Sequence, residues 1–165
     1  MRLFLDKLYS SCGIIAGAFI LLITLLILTQ IIARWFDVVI PSVEDFSGYF
    51  LAASSFFALS YTFKAGGHIR LTLLINRTQG TTKKTLTIIA MLVIISAVSF
   101  ATFYGAIFVY ESFIYDEISQ GYIPIALWIP QSSMLIGVVV FLIALVDDLV
   151  MILQGIEPNF IEEES

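Results

Sequence analysis

The residues able to do chemistry in this 165-residue chain are few: thirteen Asp and Glu, eight Lys and Arg, one histidine and one cysteine. The densest polar group is Arg34 followed by Glu44 and Asp45, with Glu111, Asp116 and Glu117 further along. Paired carboxylates can act as general acid and base, or hold a hard cation. Either role needs a nucleophile or further metal ligands beside them, and the sequence supplies neither. Ser42 followed by Asp45 has the spacing of a capping box, and Glu44 and Asp45 would stand in a first helical turn, where the helix dipole favours anions. With Arg34 as a counter-ion, capping is a sufficient structural reading of all three charges.

The remaining candidates are isolated. Cys12 alone forms no internal disulfide, Cys-based metal site or redox pair, and reads as a small packing residue near a helix start. His68 alone cannot ligate a haem from both sides or build a His-rich centre. It also falls in a polar segment, outside every apolar stretch, where it cannot serve an intramembrane nucleophile. The chain is therefore not expected to be an enzyme, and no catalytic residue, metal, cofactor or nucleic-acid partner is expected.

These residues are positioned by an apolar framework. The chain is 59% hydrophobic, 13% charged and has a mean hydropathy of +1.00, against about 25% charged residues in soluble domains. Four stretches carry no charge at all: Leu8 to Ala33, Phe46 to Phe63, Thr85 to Tyr110 and Ile118 to Val146, of 26, 18, 26 and 29 residues. A bilayer-spanning helix needs about 20 apolar residues. The expected fold is an all-α membrane protein with four transmembrane helices, at about 10–34, 44–64, 84–110 and 129–149. They make one membrane domain over 1–156, followed by an acidic, disordered tail over 157–165. The first stretch is too long for the core of a cleaved signal sequence and is read as retained. Pro41 and Pro130 bound the helices near them, and span 1 is long enough to require tilt.

Seven of the eight basic residues fall at the N-terminus or after span 2, and Arg34 is the exception. The positive-inside rule then puts both termini and the loop between spans 2 and 3 in the cytoplasm. Trp35 and Trp128 fall at the opposite ends of their spans, as an outer aromatic belt would have them. Small residues mark packing faces: Gly13 and Gly17 on span 1, Ala97, Ala101 and Gly105 on span 3, Ser133 and Gly137 on span 4. After span 2, Lys64-Ala-Gly-Gly-His-Ile-Arg-Leu reads as a basic elbow at the inner surface, near lipid headgroups.

An ionisable residue inside a span marks proton relays and coupled transport sites, and the four stretches contain none. Gly/Pro-interrupted pairs of spans, from which transporters build mid-membrane sites, are also missing. What remains is rich in packing faces and poor in chemistry, as suits an accessory subunit of a larger membrane complex.

Three features resemble the small membrane subunit of tripartite ATP-independent periplasmic (TRAP) transporters. Gln30 and Arg34, followed by the acidic pair Glu44 and Asp45, resemble the family's Gln-x-x-x-Arg and Glu-Glu pattern. Lys64-Ala-Gly-Gly-His68-Ile69-Arg70-Leu71 resembles its basic-Gly-His-hydrophobic-Arg signature. Length, four spans and cytoplasmic ends match along essentially the whole chain. Thr72 stands where the family often has Asp, and Asn76 to Gly80 replaces a Pro-rich turn, so no role of that aspartate carries over. The resemblance implies a bacterial inner-membrane, multi-pass subunit with two partners. These are a large multi-span subunit, which holds the substrate and Na+ sites and works as an elevator, and a periplasmic binding protein that delivers an organic acid such as sialic acid or a dicarboxylate. The small subunit would be the scaffold. Arg34, Glu44 and Asp45 would then fix the outer loop near the docking surface, with His68 and Arg70 at the inner elbow against the large subunit or lipid.

Readings from two other classes stand beside it. A stand-alone homo-oligomeric channel or exporter would need a polar stripe lining a pore, which the scattered Ser and Thr do not give. A membrane enzyme would need convergent polar groups beyond the outer carboxylates.

Overall fold

The structure, a computed structural model, describes residues 2–65 and 81–154, with side chains described from residues 5 and 84 onward in the two segments. The described residues form four helices: α1 (Arg2–Trp35), α2 (Val43–Lys64), α3 (Thr81–Ile114) and α4 (Trp128–Leu153). A lone antiparallel bridge between Ile118 and Ala126 is the extended pairing found among them. The elbow after Ala65, with His68, Arg70, Thr72 and Asn76 to Gly80, lies outside the described residues, as does the acidic tail 157–165.

Three of these helices are long and apolar enough to cross a membrane, over Leu5–Trp35, Lys84–Ile114 and Trp128–Leu153. The second helix does not reach that level, because Ser47, Ser54, Ser55, Ser60 and Thr62 dilute its apolar residues. Its position explains the dilution. It packs against α1 on one side and α4 on the other, while α3 packs on α4, so the row in space runs α1, α2, α4, α3. A helix flanked by helices tolerates small polar residues at its seams, and Ser54 and Ser60 are buried there, while Ser55 and Thr62 are exposed. Ser54 uses its hydroxyl as an interhelical donor, to the Ala16 carbonyl at 2.9 Å.

The helices outrun the charge-free stretches. The first begins at Arg2 and includes Asp6 and Lys7; the last begins at Trp128, ahead of Pro130, and includes Asp147 and Asp148. At about 1.5 Å per residue the 34 residues of α1 span about 51 Å, well beyond a hydrocarbon core of about 30 Å. A helix of that length crossing a bilayer would have to tilt or project past the lipid.

The core lies between α1, α2 and α4, built from Tyr9, Cys12, Ala16, Phe57, Phe63, Val140, Phe141, Ala144 and Leu145, with Met91 of α3 reaching it. Phe63 and Phe141 meet edge to face at 5.7 Å across the α2–α4 seam. Cys12 is buried there as a free thiol, in keeping with a packing role. By contrast, α1 and α3 leave long apolar faces uncovered, including Ile14, Leu21, Leu25, Phe100, Phe103 and Phe108.

The small residues divide between these faces. A Cβ on Gly137 would stand 2.6 Å from the Phe56 carbonyl carbon, so α4 touches the backbone of α2 there. Gly13 lies under the Tyr61 ring, with a Cβ position 2.8 Å from its atoms. Gly105 and Ala101 line an apolar groove with Phe56, Leu135 and Val138, and Ser133 lines another with Phe19 and Phe50. Gly17 has nothing within 4 Å and Ala97 is exposed, so these two face away from the chain's own helices.

Candidate functional site: an outer cleft between two loops

Where α1 ends, the Phe36, Asp37 and Val38 amides bond back to the Ala33 and Arg34 carbonyls, and Asp37 turns left-handed with φ of 56°. Aspartate tolerates that region better than most residues. The chain then runs through Pro41 to Ser42, which is also left-handed with φ of 59°, and enters α2 at Val43.

The capping box expected from Ser42 and Asp45 is not formed. Ser42 makes no side-chain cap to its own helix. Its oxygen instead accepts the backbone N–H of Ile123 at 2.9 Å, from the loop between α3 and α4. The left-handed backbone turns the hydroxyl away from the helix's first amides and toward that second loop.

The second loop has its own hydrogen bonds. The Ser119 amide bonds the Ile125 carbonyl at 2.8 Å, and the Leu127 amide bonds the Glu117 carbonyl at 2.9 Å. The Ser119 hydroxyl receives the Ile125 amide at 3.0 Å, and Ser112 donates to the Glu117 carboxylate at 2.6 Å. Glu117 is thereby engaged inside its own loop. The tip of the loop, at Gly121, rests on Asp45: a Cβ on Gly121 would collide with the Asp45 carboxylate and press on the Ser42 hydroxyl.

Between the two loops lies an open cleft of about 480 Å³, lined by Gln30 and Arg34 of α1, Pro41 and Ser42, Glu44 and Asp45 of α2, and Gln120 to Tyr122. Four residues singled out in the sequence, Gln30, Arg34, Glu44 and Asp45, thus share one wall-to-wall site. The expected pairing of Arg34 with Glu44 and Asp45 is not made: among the described residues the ion pairs are those of Lys64. Arg34 and Glu44 are both exposed. Their charges are available to a partner, with a cation on one wall and carboxylates on the other. Sequence reading did not include Gln120, Gly121 and Tyr122 in this site. Glu111 and Asp116, candidates in the sequence, stay exposed and do not line it. His68 and Arg70 lie outside the described residues.

Among the described residues no group of three or more His, Cys, Asp or Glu could hold a metal ion.

A family model for tripartite ATP-independent periplasmic transporters, DctQ component, matches residues 23–155. The chain belongs to the DctQ family. A search of individually curated proteins gave no match. As a DctQ component the chain is part of a membrane transport system, in a family of transporter components and not of enzymes. The matched segment contains every residue of the cleft and all of α2, α3 and α4. Family membership implies association with a large membrane subunit and a periplasmic binding protein.

Proposed function

We propose that this DctQ chain is the scaffold subunit of a Na+-coupled TRAP transporter in the bacterial inner membrane, with four spans and both termini in the cytoplasm. It supports an elevator-type large subunit and helps dock the binding protein that delivers an organic acid. Na+ and substrate would be held by the large subunit alone. The observation that carries this reading is the division of the surface. The long faces of α1 and α3 are apolar and uncovered, while Arg34, Glu44 and Asp45 line one cleft at a single end without pairing with one another. A row of helices with no charged residue in its apolar stretches suits a support that another membrane protein covers.

In this proposal α2 is the fourth span, and Arg34, Glu44 and Asp45 present their charges to the docked partner. An exposed ion pair is worth about 0.2–1 kcal/mol, which is up to about fivefold in affinity. Arg34→Ala, or Glu44→Ala with Asp45→Ala, should lower uptake by about that factor at limiting binding protein. Unchanged uptake, with normal amounts of the variants in the membrane, would remove the docking role. His68 and Arg70 are assigned to the inner loop, against the large subunit or lipid headgroups. Copurification of the large subunit with His68→Ala at the wild-type level would show that contact through His68 is not needed for assembly.

A further inference from the structure

At the end of the helix row opposite the cleft, the last residue of α2 meets carboxylates from both flanking helices. Lys64 Nζ lies 3.6 Å from Asp6 Oδ1 of α1 and 3.7 Å from Asp147 Oδ2 of α4. The same ammonium sits 5.3 Å from the centre of the Tyr9 ring. Asp148 is 2% exposed, lies within electrostatic reach of Lys64, and has one carboxylate oxygen without a hydrogen-bond partner. Two carboxylates, one from each flanking helix, therefore share one ammonium, and a third lies within its electrostatic reach.

The setting makes that ammonium hard to replace. The Lys64 and Asp147 side chains are 18% and 21% exposed, so salt screens their pairing only in part. Asp6 is the exposed member, at 54%. Taking the cation out of such a group leaves like charges facing one another with little water to separate them. Both α1 and α4 pack along α2, and Lys64 is the ionic link between their ends.

We propose that Lys64 is a charge clasp: by pairing with Asp6 and Asp147 at once, with Asp148 in electrostatic reach, it offsets part of their mutual repulsion and holds the first turns of α1 and the last turns of α4 against the end of α2. The three helices then behave as one body at this end. The clasp is a property of the chain by itself and does not rest on the transporter reading, so its test needs no partner.

The test is a distance measurement by pulsed electron paramagnetic resonance on the purified full chain in lipid nanodiscs. Spin labels are placed at Lys7→Cys and Leu153→Cys, two exposed positions, with Cys12→Ala in the background. A single narrow distribution is expected, and Lys64→Arg should keep it. The isosteric Lys64→Met should broaden it toward longer distances, and high salt should narrow it only in part, by screening the exposed Asp6. Adding Asp6→Asn, Asp147→Asn and Asp148→Asn to Lys64→Met should restore most of the narrow distribution. An unchanged distribution in Lys64→Met would overturn the clasp. So would a fully neutral variant as broad as Lys64→Met, because the charges would then not be the cause. If Lys64→Met cannot be purified, the added asparagines should recover a folded chain, and failure to recover one also overturns the proposal.

Discussion

Gly137→Ala is the sharpest test of how the helix row is held together. The new methyl would stand 2.6 Å from the Phe56 carbonyl carbon, 2.8 Å from its oxygen and 2.9 Å from its Cβ, and the first two of these are backbone atoms. Comfortable carbon contacts begin near 3.5 Å, so α2 and α4 must separate by about 1 Å. No rotamer change can relieve it. In a bilayer, helix association depends on close packing and not on exclusion of water, so the separation loosens the neighbouring Phe63–Phe141 contact as well. Overpacking of this kind costs about 1–3 kcal/mol, offset by about 0.5–1 kcal/mol for replacing a helical glycine. The net loss of up to about 2.5 kcal/mol, centred near about 1 kcal/mol, corresponds to about 2–4 °C in midpoint at the centre and up to about 10 °C at the limit for a chain of this length. Gly17→Ala is the control, since nothing lies within 4 Å of its Cβ position, and it should leave the midpoint unchanged or slightly raised. Thermal unfolding of both variants, purified in mild detergent, compares them directly. Equal midpoints for the two would refute the backbone contact between α2 and α4.

Other expectations concern the cleft. Ser42→Ala removes the acceptor of the Ile123 amide, at a cost of about 1–3 kcal/mol if that amide stays unsatisfied; faster proteolytic cutting between residues 115 and 127 would report the loosened loop. Gly121→Ala drives a methyl into the Asp45 carboxylate and should expose the same loop, with Asp45→Ala in the same chain relieving much of the effect. Protection equal to wild type in Gly121→Ala would contradict the contact. Gly13→Ala should be milder than Gly137→Ala, because the group it meets is the half-exposed Tyr61 ring, which can swing aside; a larger midpoint loss than for Gly137→Ala would show otherwise.

The all-helical framework was legible because charges are so costly in lipid that their absence outlines each apolar stretch. The cleft was legible in part. Gln30 and Arg34 are four apart at the end of one helix and Glu44 and Asp45 open the next, so a short loop necessarily brings them together. Their partners from the second loop were not legible, since nothing local in Gln120, Gly121 and Tyr122 says that their loop folds back to Ser42, which the neighbouring Ile123 meets across 81 residues of sequence. The capping box failed for a related reason: a hydroxyl that suits its own helix was claimed by a distant amide. The Lys64 clasp was hidden because Lys64 and the two aspartates read only as charges at the ends of spans 2 and 4, and nothing local tells that those ends meet. Gly137 had the right spacing for packing, but only the placement of Phe56 shows that it meets backbone.

The scaffold role is tested most directly by coexpressing the tagged chain with the large membrane subunit of its transport system and purifying it in mild detergent. The account expects the two to elute as one complex, and uptake in vesicles containing the large subunit and binding protein to depend on this chain. A chain that elutes as a homo-oligomer without the large subunit, and transports when reconstituted alone, would contradict it.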